Sequence, residues 1–116
     1  MSGFSVSRND DANISKLYLS GFLDAHTVPK FEEALQSCLN DEQYNIIVNL
    51  KDLDYISSAG LGVFMGFIEE IRESGGDIKL TNLSNKVHKV FDLLGFPALF
   101  EIYDNENEAN QKFTSG

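Results

Sequence analysis

Two adjacent hydroxyl side chains, Ser57 and Ser58, are the residues of this sequence best placed for chemistry. They follow the acidic sequence DLDYI at residues 52–56 and precede a helical pattern of apolar residues. Backbone N–H groups in the first turn of a helix lack partners and attract a hydroxyl oxygen or an anion. Either serine could therefore cap the helix or place an anion at its start. Capping is the more common role of serine at such a position.

Three glycines, Gly60, Gly62 and Gly66, fall in the first turns of the same predicted helix. Each costs about 0.8–1 kcal/mol relative to alanine in a helix interior, and a cap requires none of them. Close approach of the helix backbone to another surface explains glycine at all three positions. That surface is either the sheet beneath the helix or a binding partner, and the sequence leaves both alternatives open.

Other chemistries fit this segment less well. A dinucleotide-binding loop requires glycine where the chain has Met65, and no Gly-Lys-Ser or Gly-Lys-Thr occurs for a phosphate loop. Asp52 and Asp54, with His26, are candidates for an acid–base enzyme, but neighbouring carboxylates between a strand and a helix are more often solvated turn residues. We therefore predict no catalytic residue. Asp24, which follows the second predicted strand, has turn formation as its default role.

Composition limits the partners and the compartment. The 116 residues include nine Lys and Arg against eighteen Asp and Glu, and the net charge of −9 argues against nucleic acid or an anionic membrane as the main partner. Cys38 is the single cysteine, and the two histidines lie far from it in sequence, so we predict no disulfide, metal site or cofactor. The sequence shows no leader peptide and no run long enough to span a bilayer. We expect a cytoplasmic protein without direct membrane insertion.

The elements that would position the serines follow from the periodicity of the apolar residues. Alternation predicts strands at residues 4–7 and 14–20, joined by a turn at residues 10–13. A β-branched run at residues 46–48 predicts a central strand covered on both faces, and two more strands are predicted around residues 78–80 and 100–102. Helical spacing predicts three helices with these inward residues: Val28, Phe31, Leu35, Cys38 and Leu39; Leu61, Phe64, Met65, Ile68 and Ile71; Val87, Val90, Phe91 and Leu94.

Caps and breakers bound the helices. Thr27 is the predicted N-cap of the first helix, the sequence SGG at residues 74–76 ends the second, and Gly95 ends the third. Asp104 is the predicted cap of a short terminal helix. The resulting order is ββαβαβαβα. Strands joined by a helix are normally parallel, so a hairpin followed by such units predicts an α/β fold with a mixed sheet.

The chain closely resembles the STAS-domain family and, within it, the small stand-alone bacterial anti-sigma factor antagonists. The resemblance rests on the sequence GFLD at residues 21–24 and on YISSAGLGVF at residues 55–64. The sequences GGDIKL at residues 75–80 and VFDLLG at residues 90–95 also resemble the family. Because these motifs occur in a consistent order over nearly the whole chain, we expect one STAS-like domain across residues 1–116. Its mixed sheet would have about five strands, with helices packed on it.

The resemblance implies a switch protein and not an enzyme. In the family, the unphosphorylated form binds an anti-sigma factor that is also a serine kinase, and so releases a sigma factor. Phosphorylation by that kinase inactivates the antagonist, and a serine phosphatase resets it. By position the phosphorylated residue is Ser58. The residues implied in partner binding are Asp24, Ser57, Ser58, Gly60, Leu61 and Gly62.

The chain departs from the family at one position. Many phosphorylated members carry Asp directly before the serine, where this chain has Ser57, so Ser57 is the second candidate for the modified hydroxyl. The alternative reading is a STAS module that is never phosphorylated and serves as a scaffold or as a subunit of a membrane-linked or signalling complex.

Overall fold

The structure is a computed structural model that describes residues 3–114. Its helices and strands follow the predicted order, with a short 3-10 turn at Phe96–Ala98 in addition. The elements are β1 (Phe4–Asp11), β2 (Ile14–Leu23), α1 (Val28–Asn40), β3 (Asn45–Ile56), α2 (Ser58–Glu73), β4 (Asp77–Thr81), α3 (Asn85–Leu93), β5 (Ile102–Tyr103) and α4 (Glu106–Thr114).

The five strands form one mixed sheet in the order β1-β2-β3-β4-β5, which confirms the predicted fold class. β1 and β2 are antiparallel, and β2, β3, β4 and β5 are parallel to one another. The hairpin pairs Asp11 with Ile14, so its turn is tighter than the predicted turn at residues 10–13. Ala12 makes this tight turn with a φ of 56°.

Helices α1, α2 and α3 pack on one face of the sheet and bury the main core. Ile46, Val48 and Leu80 face these helices from the central strands. The ring of Phe64 on α2 lies at the centre of the core, with its centroid between 5.1 and 6.3 Å from those of four other phenylalanines. Cys38 is fully buried in the core, as predicted, and burial raises the pKa of its thiol. The buried set on α1 is the predicted one, with Val28 half-buried at its start.

Helix α4 covers the opposite face over a smaller area. Ala109 packs there with Ile14 and Ile47, so the central strand is covered on both faces, as predicted. The Glu106 carboxylate accepts hydrogen bonds from Asn49 Nδ2 at 2.7 Å and from the Tyr18 hydroxyl at 3.2 Å.

Three sequence predictions about helix ends and faces are corrected. Asn105, not Asp104, caps α4, because it directly precedes the helix and its Oδ1 accepts the Glu108 N–H at 3.0 Å. Thr27 takes the N-cap position of α1, but its hydroxyl binds the Phe22 carbonyl and makes no cap bond. Met65 and Leu94 are 46% and 53% exposed, so neither faces the core.

The end of β3 is the largest difference from the sequence prediction. Residues 52–56 are strand and not loop, because β3 pairs with β2 as far as Leu23 and Ile56. Two register shifts insert extra residues into β3 along this stretch, so its buried side chains recur every third residue, at Leu50, Leu53 and Ile56. No helix within residues 3–114 is long and apolar enough to cross a membrane.

Candidate functional site

The candidate site is the start of α2, at the carboxyl edge of the parallel strands. β2 and β3 end together, with Leu23 paired to Ile56. The Ser57 N–H then donates to the Leu23 carbonyl at 2.9 Å. This bond ties the first residue after β3 to the last residue of β2, and it places the turn that begins at Asp24 beside the start of α2.

The two serines have different surroundings. Ser57 is the N-cap: its backbone is extended, with φ −96° and ψ 173°, and its Oγ accepts the Gly60 N–H at 3.4 Å. Ser58 is the first residue of the helix and is exposed. Its hydroxyl makes no hydrogen bond to any residue in the described range 3–114. Ser57 is therefore occupied in capping, and the Ser58 hydroxyl is free.

The three glycines of α2 also have different surroundings. A Cβ on Gly60 would lie 2.9 Å from both Ile56 Cγ1 and Leu23 Cγ, so Gly60 lets the helix approach the sheet closely. At Gly62 and Gly66 a Cβ would meet nothing within 4 Å. Packing on the sheet thus explains Gly60 alone. The other two lie on the exposed side of α2, so packing on the sheet does not account for them.

The solvent-facing side of α2 continues from Ser58. We call the exposed surface of Ser58, Gly62, Met65 and Gly66 the α2 face. Helical spacing puts these residues on one side, with only one long side chain among them, so the surface is flat near Ser58. Gly60 and Leu61, two of the residues implied in partner binding, lie in the interior. Their side of the helix packs on the sheet, and they support the surface without forming it.

Asp24 organises the connection between β2 and α1. Its Oδ1 accepts the N–H groups of His26 at 2.9 Å and Thr27 at 3.2 Å, and its own N–H donates to Thr27 Oγ1 at 2.9 Å. These bonds are the turn chemistry that the sequence suggested as its default role. The carboxylate is half-buried, next to the bond that joins Leu23 to Ser57.

An exposed aromatic pair near this edge is not evident from the sequence. The rings of Phe22 and Tyr55 lie 5.9 Å apart and are 40% and 46% exposed. Phe22 directly precedes Leu23, and Tyr55 directly precedes Ile56. Sequence spacing does not reveal this pair, because a register shift between Gly21 and Phe22 places Tyr55 opposite Phe22.

An acid–base site is not assembled from the candidate residues. Asp52 and Asp54 lie exposed on β3, and within residues 3–114 neither forms an ion pair or a hydrogen bond with His26. The same described range contains no group of three or more His, Cys, Asp or Glu side chains arranged to hold a metal ion.

Comparison with known sequences places the chain among STAS domains. The STAS domain family model matches residues 5–109. An anti-sigma-B factor antagonist of Listeria monocytogenes is 31% identical over 100 residues, covering 86% of this chain and 88% of that protein. An anti-sigma F factor antagonist of Paenibacillus polymyxa is 34% identical over 92 residues, covering 78% of this chain and 79% of that protein.

Solved structures share the fold. The anti-sigma factor antagonist SpoIIAA in its unphosphorylated form superposes with a TM-score of 0.80 at 24% identity, covering 98% of each chain. A structure of the Bacillus cell fate determinant SpoIIAA in the phosphorylated form gives 0.70 at 23% identity, covering 94% of this chain and 98% of that one.

Proposed function

The chain belongs to the STAS domain family, and from this premise we propose that it is an anti-sigma factor antagonist controlled by phosphorylation on Ser58. In its unphosphorylated form it binds an anti-sigma factor with serine kinase activity in the cytoplasm, and the sigma factor held by that partner is released. The partner phosphorylates Ser58 and the complex dissociates. A serine phosphatase restores the unphosphorylated form. The chain itself acts as a binding protein and not as an enzyme.

The free Ser58 hydroxyl is the observation that carries this proposal. A kinase needs an exposed hydroxyl that it can reach, and Ser58 offers one at the first position of α2. Ser57 is less suitable, because phosphorylating it would remove the cap that its Oγ makes with the Gly60 N–H. Ser57 thus takes over, with a hydroxyl, the capping that a carboxylate would perform at the same place. The departure from the family at residue 57 is compatible with a phosphorylated Ser58.

A phosphate on Ser58 should leave the fold intact and act on the interface. The N-terminus of a helix favours negative charge, so the modified residue suits its position on α2. Across an interface the same charge is unfavourable beside an acidic group. Two added charges about 5 Å from one partner carboxylate cost about 1.7 kcal/mol even at the dielectric constant of water. That cost alone corresponds to more than a tenfold loss of affinity.

The proposed contact surface is the α2 face together with the Asp24 turn. Gly62 and Gly66 leave the helix backbone open, so Met65 is the one long side chain that a partner approaching Ser58 meets on the α2 face. The chain carries a net charge of −9, so the partner should be basic around the contact and carry an acidic group only opposite Ser58.

Phosphopeptide mapping tests the proposal. The protein is incubated with ATP and the anti-sigma kinase of its own organism, alongside Ser57→Ala and Ser58→Ala. We expect one phosphate per chain on Ser58 in the wild type and in Ser57→Ala, and none in Ser58→Ala. Phosphate on Ser58→Ala equal to that on the wild type would refute the assignment. A complex with a scaffold or transporter protein, with neither serine modified, would favour the alternative of a STAS module that is not phosphorylated.

A further inference from the structure

Three exposed leucines lie close together in the chain where α3 ends. Leu93 is 85% exposed, and Leu94 and Leu99 are 53% and 44% exposed. Gly95, with a φ of 77°, ends the helix, and the turn at Phe96–Ala98 leads the chain on toward β5. Several large apolar side chains exposed within one short segment mark a candidate binding surface. None of these residues belongs to the α2 face.

An acidic groove adjoins the leucines along the chain. It has a volume of about 410 Å³ and lies between α3 and the start of β5, lined by His88, Asp92, Pro97 and residues 100–104. We call it the edge groove. Asp92 directly precedes Leu93, and Pro97 is two residues before Leu99, so the polar lining and the apolar patch share one stretch of chain.

The carboxylates of the edge groove are only partly neutralised. His88 Nδ1 lies 3.2 Å from Asp92 Oδ2. Lys79 Nζ lies 2.8 Å from Glu101 Oε1, and this contact, with a hydrogen bond from the Tyr103 hydroxyl, holds the pKa of Glu101 below its usual value. Across the described residues, Asp104 forms no ion pair. The groove therefore keeps carboxylate charge at neutral pH.

The groove also runs along the open edge of the sheet. β5 is the last strand of the sheet and, among residues 3–114, pairs with β4 alone. The Glu101 and Tyr103 carbonyls accept bonds from the N–H groups of Leu80 at 3.0 Å and Asn82 at 3.3 Å, so both point toward β4. Successive residues of a strand direct their N–H and C=O groups to opposite sides. The N–H and C=O of Ile102 therefore point outward, to the free edge.

We propose that the edge groove binds an extended basic segment of a partner protein. The segment lies beside β5 as an additional strand and exchanges backbone hydrogen bonds with Ile102. Its Lys or Arg side chains pair with Asp92, Glu101 and Asp104, and its apolar side chains pack on the leucines. A second copy of this chain suits the groove poorly, because it carries the same net charge of −9. This second binding surface is independent of Ser58 and goes beyond the proposed function.

A titration followed by ¹H–¹⁵N NMR tests the proposal on the full chain. The probe is the peptide acetyl-Lys-Leu-Lys-Leu-Lys-amide, and acetyl-Glu-Leu-Glu-Leu-Glu-amide is its control. We expect saturable shifts of amides within residues 88–104, Ile102 included, and at least tenfold tighter binding of the Lys peptide. Methylating the central backbone nitrogen of the Lys peptide should weaken binding at least tenfold.

Two double variants distinguish specific binding at the edge groove from general attraction between the Lys peptide and an acidic protein. Asp92→Asn with Asp104→Asn should weaken binding of the Lys peptide about tenfold. Asp52→Asn with Asp54→Asn makes the same charge change on β3 and should leave binding unaltered. Equal effects of the two double variants on peptide binding, or the absence of amide shifts within residues 88–104, would overturn the proposal. The groove would then be a sheet edge that binds no partner strand. Shifts of these amides with protein concentration, in the absence of peptide, would overturn it in favour of a second copy.

Discussion

At the scale of single residues, the proposed switch depends on the difference between Ser57 and Ser58. The two hydroxyls are adjacent in sequence, yet only that of Ser57 accepts a backbone N–H of α2. An N-cap residue satisfies one of the unpaired donors of its helix, whereas the first helical residue points its side chain into solvent. Structure therefore assigns the stabilising role to Ser57 and leaves Ser58 available for modification.

Alanine substitutions should separate these roles. We expect Ser57→Ala to lower the free energy of unfolding by about 1 kcal/mol, within the range of about 0.5–2 kcal/mol for a lost cap. Ser58→Ala should change it by less than about 0.5 kcal/mol, as for other surface substitutions. Urea unfolding of the two variants and the wild type measures both values. A larger loss in Ser58→Ala than in Ser57→Ala would show that the cap has been misassigned.

The local residue pattern could place these serines at a helix start but could not assign the cap to one of them, and only the family resemblance put Ser58 first as the modified residue. The choice depends on where β3 ends, and a shift of one residue would exchange the two roles. The turn at Asp24 was predictable, because Asp binds nearby backbone N–H groups wherever it occurs in a turn. The aromatic pair of Phe22 and Tyr55 was not predictable, since it is created by pairing between strands.

At the scale of elements, α2 has one side built for the sheet and another open to solvent. The buried residues on it are Gly60, Leu61, Val63, Phe64, Ile68 and Ile71. The predicted helix and most of its inward positions are confirmed by this set. Met65 was misplaced because Leu61 and Met65 are four residues apart, a spacing that fits the buried side and its border equally well.

The glycines of α2 give an opposed pair of predictions. Gly60→Ala should lower the free energy of unfolding by about 1 kcal/mol, because overpacking costs about 1–3 kcal/mol and exceeds the gain in helix propensity. Gly62→Ala should raise it by about 0.8–1 kcal/mol, because its methyl group meets only open space. Thermal or urea unfolding measures the direction of both changes in the free energy of unfolding. Binding to the anti-sigma factor should weaken in Gly62→Ala despite its greater stability. An unchanged affinity would remove Gly62 from the contact surface.

The extension of β3 shows why element boundaries were harder to predict than element order. Each helix and the central strand carry a periodic apolar pattern that the sequence displays directly. Along residues 50–56 the register shifts replace a two-residue repeat by a three-residue one, and the two carboxylates there are typical of a turn. Pairing with β2 overrides both local signals, because it buries Leu53 and Ile56.

At the scale of the whole molecule, the sheet brings the parts of the proposed switch together at the carboxyl ends of its parallel strands. The parallel strands β2 and β3 end side by side, so the Asp24 turn and the start of α2 are neighbours although they are distant in sequence. The edge groove lies at the outer strand, β5, and uses none of the same residues. The two proposed binding surfaces, the α2 face with the Asp24 turn and the edge groove, are therefore available to separate partners.

The net charge of −9 determines how the switch should respond to salt. Phosphorylation adds charge to a protein that is already acidic, and we propose that repulsion across the interface causes at least part of the release. Charges at a surface are screened over about 10 Å at 0.1 M ionic strength and over about 3 Å at 1 M. The difference in affinity between the two forms should therefore narrow as salt rises.

The most direct test is isothermal titration calorimetry of the anti-sigma factor kinase with unphosphorylated and Ser58-phosphorylated protein. We expect phosphorylation to weaken binding more than about tenfold at about 0.1 M ionic strength, and we expect this difference in affinity to narrow at about 1 M. If the difference in affinity persists at high salt, release is caused by steric exclusion and not by charge. Equal affinity of the two forms at low salt would show that a phosphate on Ser58 does not control binding.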